Sequence, residues 1–269
     1  MSKLIGRLTL GHARCVQPIA ATAIATPADG LIAGAVEIPT TDGAQSLPAY
    51  RAQPAANGPH PLVLVVHEIF GVHEYIQDVC RRLAHEGFLA VAPELFVRWG
   101  DVSVQPELKD VVLNVVRFVP DDEVMADLDA CVAWARGSGA GDPERVAITG
   151  FCWGGRAVWL YAAHNPELRA GVAWYGRLVG DESETTPRHP LQLAGSLQAP
   201  VLGLYGEMDA AISLESIALM RDALAARGDS SEFVIYPEAP HGFHSDYRVS
   251  FRAGAAEDGW RRMLGWLRR

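Results

Sequence analysis

The chain lacks the features that would tie it to nucleic acid, a bilayer or a disulfide scaffold. Basic residues are outnumbered, 23 against 32 acidic, and the formal net charge of -9 argues against nucleic acid as a partner. It leaves room for an anionic small molecule, because a site can be locally basic in an acidic protein. No apolar run approaches the roughly eighteen residues that a membrane span needs. The four cysteines, Cys15, Cys80, Cys131 and Cys152, show no Cys-x-x-Cys spacing, which excludes a disulfide framework and suits a reducing compartment. Cys80 and Cys131 fall on apolar faces of expected helices, where a thiol behaves as a small hydrophobe. Metal-ligand spacing is also missing. His67-Glu68 is followed by His73, too far on for a His-Glu-x-x-His helix, and His241 with His244 and His189 has no Cys or acid at ligand spacing. No metal or cofactor is expected, and there is no internal repeat.

Residues 1–34 show no sustained periodicity and read as a loosely structured lead-in to one domain over 35–269. Lys3, Arg7 and Arg14 precede the mildly apolar stretch from Val16 to Thr26, and Ala21-Thr22-Ala23 resembles a cleavage site. Gly6, Arg7, His12, Arg14 and Pro18 interrupt any apolar core, so the expectation is a cytoplasmic protein rather than an exported one.

What is present is 49% apolar and 20% charged, ordinary for a soluble enzyme with a large core. Ala35 to Ile38 and Leu47 to Ala52 predict an edge hairpin around a Thr-Asp-Gly turn. Leu62 to Val66 is continuously apolar, as a strand buried on both faces would be. Ile76, Val79, Cys80, Leu83 and Ala84 then repeat at helical spacing until Gly87, and Phe88 to Ala92 is the next strand. After an excursion over 94–120 with a helix from Glu107 to Phe118, Asp121-Asp122-Glu123 places negative charge at a helix start. Strands are expected at Ala170 to Trp174, Val201 to Tyr205 and Glu232 to Tyr236. Helices are expected around Leu214 to Leu224 and at Trp260 to Trp266. This alternation implies an α/β protein with a doubly wound, mainly parallel sheet and helices on both faces.

Ligands of such sheets bind beyond the carboxyl ends of the strands, and Glu68, Cys152, Asp209 and His241 each follow one. The apolar run Val146 to Thr149 ends in Gly150-Phe151-Cys152-Trp153-Gly154-Gly155 and passes at once into a helical pattern. That is the layout of a nucleophile elbow, with Cys152 where a serine usually stands. The bland alternative is a buried structural cysteine; the three flanking glycines favour the nucleophile. His241, in Pro240-His241-Gly242 after the last strand, is the candidate general base. Asp209 is preferred over Glu207 in the same loop as the acid that orients it, and the order Cys, Asp, His matches that of the α/β-hydrolases. The backbone N–H groups of Ile69 and Trp153 form the expected oxyanion hole. Glu68 is read either as a second proton acceptor for Cys152 or as a solvated loop residue.

His-Glu-Ile-Phe-Gly-Val (67–72), Gly-Phe-Cys-Trp-Gly-Gly (150–155), the Gly-x-x-Asp ending at Asp209 and His-Gly-Phe at His241 together resemble the dienelactone hydrolase family of the α/β-hydrolases. The resemblance runs from about residue 35 to the C-terminus. It implies that Cys152 attacks a lactone or enol-ester carbonyl to form a thioester, that Asp209 and His241 complete the triad, and that Glu68 helps to activate the thiol. It further implies a carboxymethylenebutenolidase-like ester hydrolase of small molecules, such as those of aromatic-compound degradation, working as a monomer or small homo-oligomer. The departure concerns the substrate: the arginine that the family places four residues after the histidine is Ser245 here. Tyr175, Arg177 and Arg98 are the substrate-binding candidates, with Arg117 and Arg248 as further cations. Two other readings stay open, a carboxylesterase for a different acyl group and a non-catalytic thiol switch on the same fold.

Overall fold

The structure, a computed structural model, describes residues 21–41, 43 and 45–269. Cys15 and the basic start of the stretch weighed as an export signal lie outside them. Eight strands form one sheet in the order β1-β2-β4-β3-β5-β6-β7-β8. Strands β1 (Leu31–Pro39) and β2 (Ser46–Pro54) make an antiparallel hairpin, and β2 runs antiparallel to β4 (Leu89–Pro93). From β4 through β3 (His60–Val66), β5 (Gly141–Phe151), β6 (Leu168–Trp174), β7 (Val201–Gly206) and β8 (Glu232–Tyr236) every pairing is parallel. Parallel strands are covered on both faces, which is why β3 from Leu62 on, β4 and β7 are buried at every position.

The helices between the strands are α1 (Glu74–His85), α2 (Leu108–Asn114), α3 (Asp121–Gly137), α4 (Trp153–His164), the one-turn α5 (Pro190–Leu193), α6 (Leu214–Ala225) and α7 (Ala253–Leu267). Helices α3 and α4 are locked together by Asp129, which accepts from Tyr161 Oη (2.9 Å) and pairs with His164 Nε2 (2.7 Å). At the start of α6, Ser213 caps the Ser216 N–H (3.1 Å), a bond worth about 1 kcal/mol. No described helix is long and apolar enough to cross a membrane.

Two boundaries differ from expectation. The helix expected over Glu107–Phe118 is α2 followed by a separate 3-10 turn, Val116–Phe118. Val115 between them leaves helical space (φ −130°, ψ −68°) and packs inward against Gly100, and the β-branched run around it resists helix. Strand β1 begins at Leu31, four residues before Ala35, because its pairing with β2 runs out to Leu31 opposite Pro54. The packed structure therefore reaches into the stretch read as a loose lead-in.

Candidate active site

Between β5 and α4 the chain turns sharply at Cys152, whose φ of 56° and ψ of −112° lie where an L-residue is strained by about 1–3 kcal/mol. The glycines around it are demanded by close backbone approach. A Cβ at Gly150 would fall 2.3 Å from Gly154 O, one at Gly154 2.3 Å from Val66 O, and one at Gly155 2.5 Å from Trp174 O. The Cys152 N–H donates to Trp174 O (3.0 Å), tying the turn to the end of β6. The thiol is thereby held, partly exposed, at the N-terminus of α4, where the helix dipole favours negative charge.

His241 reaches it from the loop after β8. Its Nδ1 lies 2.7 Å from Asp209 Oδ2, it stands within electrostatic reach of Cys152, and the Tyr175 ring backs it edge-on at 5.1 Å. Asp209 Oδ1 accepts the Ala211 N–H (2.8 Å), so both carboxylate oxygens are engaged. The two loops are bolted together: Met208 N–H donates to Ala239 O (3.0 Å) and Glu207 N–H to Tyr236 O (2.9 Å). Glu207 itself is exposed and accepts the Glu238 N–H (3.3 Å); Asp209 is the acid brought to the imidazole. Burial disfavours charge on His241, but the Asp209 hydrogen bond and the contact with Cys152 outweigh it and raise its pKa to about 10.

Glu68 is fully enclosed rather than solvated. Ser245 Oγ donates to Oε1 (3.0 Å), Tyr247 Oη to Oε2 (2.6 Å), and His73 Nε2 stands 3.7 Å from Oε2. Burial opposes its charge, but His73, the Arg248 guanidinium and Tyr247 together lower its pKa to about 2. Nothing in the sequence pattern marked Ser245, Tyr247 or His73 as partners of Glu68. The next residue, Ile69, and Trp153 carry N–H groups with no hydrogen-bond acceptor among the described residues, as an oxyanion hole requires. The loop bearing Ile69 is anchored at both ends. Buried His67 bonds Glu68 O (2.6 Å) and takes the Leu95 N–H (3.2 Å), while Glu94 accepts the Val72 N–H (2.8 Å).

The substrate candidates divide. Tyr175 is fully buried and supports the site from beneath, its hydroxyl 3.3 Å from Ser245 Oγ. Arg98 is spent on Asp127 (2.6 and 2.7 Å) and Glu123 (3.2 Å), and no contact links it to the thiol. Arg117 lies over Phe118 (4.5 Å). Arg177 is exposed and lines a cavity of about 290 Å³ beside Asp209. Arg248 is half-buried over the Phe70 ring (5.5 Å), within electrostatic reach of both Cys152 and Glu68, and pairs with no carboxylate among the described residues.

A mainly parallel sheet in this strand order, with a strained elbow after β5 and an acid and an imidazole after β7 and β8, defines an α/β-hydrolase. The model of the dienelactone hydrolase family matches residues 47–269, and the chain belongs to that family. A "Putative carboxymethylenebutenolidase" of Methylorubrum extorquens is 58% identical over 262 residues, covering 97% of this chain and 89% of its own. That match extends well into the first 34 residues, further than the motifs alone suggested. The crystal structure of a "Putative Dienelactone Hydrolase" from Klebsiella pneumoniae, 52% identical, superposes with a TM-score of 0.86 over 89% of this chain and 99% of its own. A "Probable 2-oxo-3-(5-oxofuran-2-ylidene)propanoate lactonase" of Bradyrhizobium is 32% identical over 85% of this chain and 91% of its own.

Proposed function

We propose that this member of the family is a cysteine hydrolase of lactones or enol esters that carry a carboxylate. The observation that carries the reading is that His241, paired with Asp209 at 2.7 Å, stands within electrostatic reach of the Cys152 thiol at the elbow. The thiolate attacks the substrate carbonyl, and the developing oxyanion is received by the N–H groups of Ile69 and Trp153. The carbonyl re-forms as the C–O bond to the leaving group breaks, leaving a thioester on Cys152. His241 protonates the departing enolate or alkoxide. In a lactone that oxygen stays tethered to the acyl chain. Water then gives a proton to His241 and adds to the thioester, and the acid is released with the thiolate restored.

Arg248 supports the anionic part of the reading. A half-buried guanidinium with no carboxylate at ion-pair distance among the described residues, within electrostatic reach of Cys152, suits a carboxylate on the substrate. The Bradyrhizobium relative is named for a substrate of that kind.

The test is hydrolysis of dienelactone and of a neutral activated ester by Cys152→Ala, with folding checked by circular dichroism. Both activities should vanish, and mass spectrometry of the wild type should trap an acyl adduct on Cys152. Undiminished turnover by the variant would sink the proposal. Arg248→Gln should raise KM for the anionic substrate about tenfold and leave the neutral ester within about twofold. An equal effect on both substrates would favour the general carboxylesterase.

A further inference from the structure

The chain ahead of β1 lies along helix α1, and α1 is tied in turn to the loop that carries half of the site. Thr26 donates its N–H to Asp78 Oδ1 (2.5 Å) and its hydroxyl to Oδ2 (3.2 Å), and its carbonyl accepts from Arg81 Nε (2.9 Å). Pro27 O bonds His85 Nε2 (2.9 Å). Arg82 ties Asp78 to Asp246, Nε to Asp78 Oδ2 and Nη2 to Asp246 Oδ2, each at 2.5 Å. Asp78 and Asp246 are 1% and 2% exposed, so losing one of these donors leaves a buried carboxylate oxygen without a partner.

Asp246 stands between Ser245 and Tyr247, the two residues whose hydroxyls hold Glu68. The loop around it is a run of tight turns, with Ser245 N–H on Gly242 O and Arg248 N–H on Ser245 O (3.0 Å each). A displacement of the Asp246 backbone is therefore carried to both neighbours.

We propose that Thr26 and Pro27 are a positioning strap, holding Ser245 and Tyr247 in register on Glu68 through Asp78, Arg82 and the Asp246 carboxylate. The strap lies ahead of the residues matched by the family model, which begin at 47. Asp246 is a positioning residue; it touches no reacting atom and acts through its neighbours. The inference rests on the reading that Glu68 serves a hydrolytic site.

Three full-length variants test it. Thr26→Pro deletes both donors to Asp78, Thr26→Ser keeps both, and Asp246→Asn keeps the shape of the side chain without its charge. Each is assayed for kcat and KM on a neutral activated ester and for amide hydrogen exchange across residues 242–249. Thr26→Pro and Asp246→Asn should lower kcat about tenfold, hold KM within about twofold and speed exchange in that loop. Thr26→Ser should match the wild type. Wild-type kcat and loop exchange in Thr26→Pro would overturn the strap, as would a kcat loss shared by Thr26→Ser, or a lower Tm with kcat unchanged. If Thr26→Pro does not fold, Asp246→Asn decides by the same readouts. If the wild type hydrolyses no ester, the hydrolase reading falls, and the exchange measurement still decides the strap.

Discussion

Two carboxylates, each just beyond the end of a parallel strand, flank this cleft and are held in opposite ways. Asp209 after β7 spends one oxygen on a backbone N–H and turns the other to an imidazole, so its charge is passed on as a proton held on His241. Glu68 after β3 takes two hydroxyls and faces an imidazole and a guanidinium, so its neighbours serve to keep Glu68 itself ionised. The first is a relay and the second a fixed charge. Identity of side chain and place in the fold are nearly the same; the donors around each group decide which role it has.

Removing the relay should cost most. Asp209→Asn should lower kcat/KM by about 10³–10⁴, the scale set by loss of the orienting acid in other triads, while Glu207→Gln stays within about twofold. A large loss in Glu207→Gln would undo the assignment. Glu68→Gln should cost less, about 10–10² in kcat, because a buried fixed charge shapes the field and the loop without carrying the proton. A loss as complete as that of Cys152→Ala would mean that Glu68 is the proton acceptor and would erase the contrast.

The smallest and most discriminating effects are on stability against pH. His241 has its pKa raised from 6.5 to about 10, so the stability it contributes is complete below 6.5 and fades as pH rises through about 10. Glu68 has its pKa lowered from 4.5 to about 2, so its contribution is complete above 4.5 and fades as pH falls through about 2. The Tm deficit of Asp209→Asn should thus shrink toward alkaline pH, and that of Glu68→Gln toward acid. Two deficits that shrink at the same end would break the comparison.

The fold was legible because parallel strands buried on both faces announce themselves as apolar runs, as at Leu62 to Val66. That Cys152, Asp209 and His241 are brought to one end of the sheet was legible because each follows a strand end and the turn chemistry around it is specific. The surroundings of Glu68 were not. Ser245 and Tyr247 lie 177 and 179 residues away along the chain, and no periodicity links a hydroxyl to a carboxylate at that range. Arg98 failed for a related reason. Its charge, placed by sequence in the excursion before the elbow, is absorbed by Asp127 and Glu123 on α3, and pairing among charged side chains leaves no mark in a hydropathy pattern. The early start of β1 is a matter of partner length, fixed by how far β2 extends.

The elbow glycines have a consequence for how this site can change. Val66 O, Trp174 O and the first turn of α4 fill the space a side chain would need at positions 150, 154 and 155, so heritable variation there is closed. Position 152 is held by its backbone through the Trp174 carbonyl, and its side chain alone is free to differ. On the proposed function, the chemistry of the nucleophile can therefore be exchanged, sulfur for oxygen, without a change of architecture, and the lineage can explore reactivity at one codon while the scaffold stays constant.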